Sequence, residues 1–229
     1  MGNLRDNLLY LKEEIDNAAQ KTGRTGSDIA LVAVSKTQSA DTVRAGIEAG
    51  IEICGENRVQ ELLEKKAQGA YEGAALHLIG HLQKNKVRKI VGAVELIQSV
   101  DSLPLLMAID RVAEEFSIVQ DVLIQVNIGK DPDKFGIHAP ELGDFLAQAG
   151  EFSHVRLRGL MTMPPFLDNP EETRRLFAQM FQLFVDIKDK TYHNIPMDYL
   201  SMGMSGDFFD AILEGANMVR VGSSIFGSR

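Results

Sequence analysis

A single cysteine, Cys54, stands in 229 residues. No intramolecular disulfide can form, and a reducing compartment is expected. Long apolar runs are also missing: nothing approaches the ~20 residues a membrane helix needs. The N-terminus, MGNLRDNLLYLKEEID, carries acidic residues and no apolar segment of the signal-peptide kind. It begins Met-Gly, but Asp6 stands where N-myristoylation needs Ser or Thr. Positive charge is short, with 24 Lys and Arg against 32 Asp and Glu, a net charge of −8. That balance argues against general nucleic-acid binding and against attraction to anionic membranes. There is no Walker loop and no G-x-G-x-x-G fingerprint. The five histidines show no metal spacing and have no Cys cluster to join them. No linker rich in Pro, Gly or Ser divides the chain, so residues 1–229 are expected to form one domain, cytoplasmic and monomeric.

What is present is a rhythm. The composition, 45% hydrophobic and 24% charged, can bury a large core. Leu4, Leu8, Leu11, Ile15 and Ala18 recur at helical spacing and predict an opening amphipathic helix. Apolar runs at 29–34, 51–54, 76–79, 94–97, 119–126, 157–161, 197–200 and 218–221 predict eight strands. Helical patterns fall between them, at 39–49, 58–67, 84–91, 104–116, 140–149, 170–189 and 207–213. Strict alternation with apolar strands implies a parallel sheet covered on both faces. An open doubly wound sheet is one solution. Eight evenly sized units suit a closed (β/α)8 TIM-type barrel better. The eighth helix is missing, and the extra N-terminal helix is expected to take its place.

In such a barrel the active site lies at the C-terminal ends of the strands. Those ends carry Ser35-Lys36-Thr37, Gly55-Glu56-Asn57, Gly80-His81, Gln98-Ser99-Val100-Asp101, Asn127 with GKDPDKFG, Thr162-Met163, SMGMSGD at 201–207, and Gly222-Ser223-Ser224. The last two loops place small residues and hydroxyls before helix starts, where backbone N–H groups favour an anion. Each alone reads as an ordinary turn; together, after strands seven and eight, they read as a phosphate site. Arg220, inside the apolar strand NMVRVG, needs an acceptor: either a structural carboxylate or a bound heterocycle or anion. Lys36, at the end of IALVAVSK, either snorkels to solvent or is a Schiff-base lysine, desolvated enough to be a nucleophile. A lysine facing a phosphate site is the arrangement a pyridoxal phosphate protein needs. His81 shows no metal partners, Cys54 reads as a small core residue, and the basic run Lys84, Lys86, Arg88, Lys89 reads as a solvated helix face.

These segments, AVSKT, GENRVQE, LIGHLQKNK, SVDS, RGLMTM, LSMGMSGDF and VRVGSSIFG, resemble in order the pyridoxal-phosphate homeostasis protein family, also called YggS-like proteins. The resemblance covers nearly the whole chain. It implies a barrel similar to the N-terminal domain of alanine racemase, with pyridoxal 5'-phosphate as cofactor. Lys36 would form the internal aldimine. Ser205, Gly206, Gly222 and Ser223 would hold the phosphate, Arg220 would face the pyridine nitrogen, and Asn57 would lie near the ring. An arginine at that nitrogen disfavours its protonation and limits carbanion chemistry. One departure is Asp131, where the family carries a glutamate; Lys134 and Gly136 are kept.

The function implied is intracellular pyridoxal phosphate homeostasis with little or no turnover. Partners would be PLP-dependent apoenzymes or amino acids, with no metal, nucleic acid or membrane. The alternative is a fold-type III amino-acid racemase with Lys36 as one catalytic base. That chemistry needs a second acid/base, a tyrosine that alanine racemases supply from a second, β-rich domain. No such domain is expected here, and Tyr10, Tyr71, Tyr192 and Tyr199 follow no strand end closely. Tyr199 alone stands where it could point inward.

Overall fold

A computed structural model describes residues 4–165, 167–189 and 195–227. Eight parallel strands close into a barrel in chain order: β1 (Ala30–Val34), β2 (Ile53–Glu56), β3 (Ala75–Leu78), β4 (Leu96–Val100), β5 (Gln120–Gln125), β6 (Val155–Met161), β7 (Tyr199–Ser201) and β8 (Met218–Val221). The strands are short and mainly apolar because helices cover them outside and side chains fill the lumen. Inside, Val32, Ile79, Leu96, Leu123, Met161 and Met218 pack together. The larger core lies between strands and helices. Closure depends on β1 pairing with β8, with Val32 opposite Arg220 and Ala33 opposite Val221.

Around the barrel run α1 (Leu4–Gln20), α2 (Ala40–Glu48), α3 (Val59–Ala67), α4 (Val87–Ile90), α5 (Leu103–Glu115), α6 (Leu142–Ala149), α7 (Pro170–Asp189), α8 (Phe208–Leu213) and α9 (Ser223–Phe226). Among the described residues, β8 is followed only by α9, one turn of four residues. Helix α1 fills the gap, packing on α2, α8 and α9 and burying Leu8, Leu11, Ile15, Ala18 and Ala19. Asn7 Nδ2 donates to the Ile225 carbonyl at 3.0 Å, and Arg24 Nη1 to the Ala216 carbonyl at 2.7 Å. Both ends of the helix are thereby pinned to the β8 region. Among the described residues, no helix is long and apolar enough to cross a membrane.

Three expectations are corrected. Strand β2 runs to Glu56 and β4 to Val100, so Gly55, Glu56, Gln98 and Ser99 lie within strands, not in the loops after them. The strands are therefore not free of polar residues; Glu56 and Gln98 are fully buried and find partners inside the molecule. The helix expected at 84–91 is a 3₁₀ turn, Lys84–Lys86, followed by the single turn α4.

Leu11 is 2% exposed on the face of α1 that closes the barrel. Leu11→Ala is expected to cost about 2–5 kcal/mol, read as a lower denaturation midpoint in urea. An unchanged midpoint would mean that α1 is not part of the barrel core.

Candidate functional site

The C-terminal ends of β1, β2 and β8 and the loop after β7 surround one cavity of about 430 Å³, within the range of small-molecule sites. Its wall includes Lys36, Asn57, Ser205, Arg220, Gly222 and Ser223, with Val34, Ile79, Met163 and Met204 as apolar lining. Six of the seven expected site residues are thus brought together. Gly206 is the exception: it does not line the cavity, although a Cβ there would meet nothing within 4 Å.

Lys36 follows Ser35, the last buried residue of the strand end, and is itself exposed at the cavity. There the chain has already left the barrel wall, and the side chain opens on the cavity. Asn57 is held by close packing beneath it. A Cβ at Gly80 would lie 2.1 Å from the Asn57 carbonyl oxygen, so only glycine fits there.

The wall facing Lys36 is built of donors. Gly222 N–H donates to Ser205 Oγ at 3.3 Å, which joins the loop after β7 to the loop after β8. The backbone N–H groups of Ser205, Gly206, Ser223 and Ser224 find no acceptor among the described residues. Gly203 makes the first turn of this loop at φ +93, where a side chain would be strained and its Cβ would lie 2.6 Å from that of Ala211. Asp207 accepts from Met204 N–H at 2.6 Å and opens α8; burial raises its pKa, against that hydrogen bond and the charge of Arg220. A cluster of unpaired donors on two adjoining loops suits an anion with several oxygens.

Arg220 is 3% exposed. Its Nη1 donates to Ser201 Oγ at 2.6 Å and its Nη2 to the Thr162 carbonyl at 2.8 Å. Neither acceptor is charged, and among the described residues no carboxylate pairs directly with the guanidinium. Burial lowers its pKa to about 10, opposed by Asp207, which leaves it protonated near neutral pH. The hydrogen bonding continues inward: Ser201 donates to Gln98 Oε1 at 2.7 Å, and the Gln98 amide lies 3.0 Å from His77 Nδ1. If the amide donates, Nδ1 is the acceptor and the His77 proton sits on Nε2. Burial lowers the His77 pKa to about 4, so the ring is neutral at pH 7.

Comparison with known proteins finds relatives along the whole chain. Residues 7–229 match the family model described as alanine racemase, N-terminal domain. The pyridoxal phosphate homeostasis protein of Aquifex aeolicus is 38% identical over 227 residues, covering 99% of each chain. That of Escherichia coli K12 is 34% identical over 232 residues, covering 100% of this chain and 98% of the relative. The chain belongs to the pyridoxal phosphate homeostasis protein family. Among solved structures, PipY of Synechococcus elongatus with PLP bound aligns at TM-score 0.86 and 34% identity, covering 98% of this chain and 100% of that one. An alanine racemase of Clostridium difficile aligns at TM-score 0.75 and 18% identity over 56% of its length, a likeness of fold alone.

In this member of the pyridoxal phosphate homeostasis protein family, no described tyrosine lines the cavity. Tyr10 is exposed on α1 and Tyr71 is buried against Glu56 at 2.9 Å. Tyr199 does pack against the lumen residues, but outside the cavity, with Arg158 over its ring. Tyr192 lies outside the described residues. Cys54 is buried, its thiol pushed up to about 12 chiefly by desolvation. Among the described residues no group of three or more His, Cys, Asp or Glu could hold a metal. His81 instead stacks on Phe135 and meets Asp101 at 3.1 Å. Asp131 is part of a loop gathered around Asn127, whose side chain bonds Asp131 and Lys134 backbone, while Lys134 Nζ donates to the Pro164 carbonyl. The sequence reading placed Ser201, Gln98 and Glu56 at strand ends but gave them no role, and it passed over His77 behind Arg220 and Glu61 and Lys65 behind Lys36. Polar residues inside apolar runs were the signal available for His77 and Gln98.

His77 gives a pH prediction. Its folded pKa, about 4, lies below the unfolded value, so unfolding takes up a proton as pH falls below ~6.5. Stability is complete above the unfolded pKa and declines as pH falls toward about 4, by roughly 3 kcal/mol for this group. Urea unfolding between pH 7 and pH 4 should show this loss, and His77→Asn should flatten it. A His77→Asn profile as steep as wild type would refute the assignment.

Proposed function

We propose that this protein binds pyridoxal 5'-phosphate and serves intracellular PLP homeostasis, holding the cofactor with little or no turnover. The observation that carries the reading is that Lys36 and the donor loops at Ser205 and Gly222–Ser223 line one cavity. PLP supplies an aldehyde that condenses with amines and a ring that draws electrons from the product. The donor set fits it: a phosphate suits the unpaired N–H groups of Ser205, Gly206, Ser223 and Ser224 and the hydroxyls of Ser205 and Ser223. Arg220, fixed by Ser201 and Thr162, would face the ring nitrogen and, being cationic, discourage a proton there. Asn57 would bound the ring. Lys36 Nζ would hold the aldehyde carbon as a Schiff base, with the aldehyde oxygen leaving as water. Residues 1–229 act on this reading as one domain, a cytoplasmic monomer that exchanges PLP with PLP-dependent apoenzymes or amino acids. The lack of a described tyrosine at the cavity weighs against two-base racemisation.

Protein loaded with PLP should absorb in the visible range, and borohydride should fix the cofactor to Lys36, identified by peptide mass. Lys36→Ala should abolish the covalent label, and a label retained at full yield in that variant would refute the assignment. Arg220→Gln removes the buried cation and should weaken PLP retention by about tenfold or more, consistent with a charge-assisted contact. Unaltered retention on dialysis would count against it. Incubation with L-alanine should give no catalytic racemisation; turnover lost in Lys36→Ala would favour the racemase.

A further inference from the structure

The backbone on either side of Lys36 is gripped by side chains of β2 and α3. Lys65 Nζ donates to the Ser35 carbonyl at 2.7 Å. Ser35 Oγ donates to Glu56 Oε1 at 2.7 Å. Past the lysine, Thr37 N–H donates to Glu61 Oε1. Lys65 then joins the two carboxylates, lying 2.8 Å from Glu56 and 2.7 Å from Glu61. Its three donors therefore have three acceptors, and the side chain is 7% exposed. Thr37 stands at φ +65, a left-handed conformation that a β-branched residue rarely adopts without being held.

We propose that Glu56, Lys65 and Glu61 form a positioning device that sets the direction in which Lys36 leaves the barrel wall, and so where its amine meets an aldehyde. This rests on the proposed role of Lys36. A Glu61–Lys65 pair one helical turn apart could satisfy itself at the surface of α3. Here it is turned inward and its remaining bonds fall on Ser35 and Thr37, the two neighbours of Lys36, at the cost of desolvating the ammonium and the Glu56 carboxylate. The same arrangement separates two lysines by task. Lys65 is saturated with acceptors and closed to reagents, whereas Lys36 has no carboxylate within ion-pair distance among the described residues and opens on the cavity.

The test uses Glu61→Ala, since Glu61 is the most exposed member of the cluster, at 22%. Two ligands separate aiming from binding. PLP is trapped on Lys36 by borohydride and followed by mass. Pyridoxamine 5'-phosphate has the same ring and phosphate but no aldehyde, so it reports only the non-covalent contacts. Glu61→Ala should slow capture at Lys36 by about 10- to 100-fold, the range expected for a misplaced reactive group, with the pyridoxamine phosphate dissociation constant unchanged. Should that protein not fold, Glu61→Gln is read instead; it keeps a neutral acceptor and should slow capture by about threefold, and no slowing overturns the proposal. Capture at the wild-type rate in Glu61→Ala, or equal losses for both ligands, overturns it while leaving the role of Lys36 intact. Wild-type protein trapped at another lysine overturns that role and this proposal with it.

Discussion

Everything at the site depends on the pairing of the first strand with the last. With Val32 opposite Arg220 and Ala33 opposite Val221, the chain emerging from β1 and the chain emerging from β8 leave the barrel side by side. Lys36 comes from one and Ser223 from the other, although 187 positions separate them (223 − 36). A shift of this register by one residue would turn Arg220 from the lumen toward the helices, because side chains alternate along a strand. The α1 helix matters for the same reason. It covers the seam that α9 is too short to cover, and so keeps β1 against β8.

The barrel holds buried charge in two different ways, with Arg220 in the lumen and Lys65 between α3 and the outer face of the strands. Arg220 hydrogen-bonds only to neutral groups, a hydroxyl and a carbonyl, with an amide and a neutral imidazole behind the hydroxyl, and the Asp207 carboxylate reaches it through its field without a direct bond. Such a chain orients the guanidinium without neutralising it, and a cation with no direct ion pair next to a cavity draws anionic or electron-rich ligands toward it. Lys65 is compensated by two carboxylates, so its field is largely cancelled close by. The two buried cations therefore do opposite things: one projects positive potential into the cavity, and the other serves as a structural clamp.

Much of this was legible in the sequence, and the rest was hidden for definite reasons. Helix α7 has the bounds its pattern predicts, since Pro170 opens it and its apolar spacing is unbroken. The eight strands and the gathering of Lys36 with the Ser205 and Gly222 loops follow from alternation and from the rule that barrel sites lie at strand ends. The ends of β2 and β4 were misplaced because Gly55-Glu56 and Gln98-Ser99 look like loop residues until the buried partners of Glu56, on α3, and of Gln98, on β7, are seen. Lys65 was invisible for a related reason. It continues the buried stripe of Val59 and Leu62 on α3, a place where periodicity asks for an apolar residue and a lysine is ordinarily read as snorkelling. Only the convergence of Glu56, Glu61 and the Ser35 carbonyl explains it, and that convergence is between separate elements. Between the two readings of Lys36, an apolar run could not decide, because it says where a strand is buried but not how far past its end the wall extends.

The seam between β1 and β8 also orders events in time. During synthesis the lysine is available early, but the donor loops beside it are among the last parts of the barrel to be made. No half-built barrel can present both, so a ligand that needs both cannot template folding and can only bind once the ring has closed. Binding of that kind adds its free energy to the closed state alone. The first and last strands, which any polymer brings together at the greatest entropic cost, are then the pair that a ligand bound as proposed would span and hold.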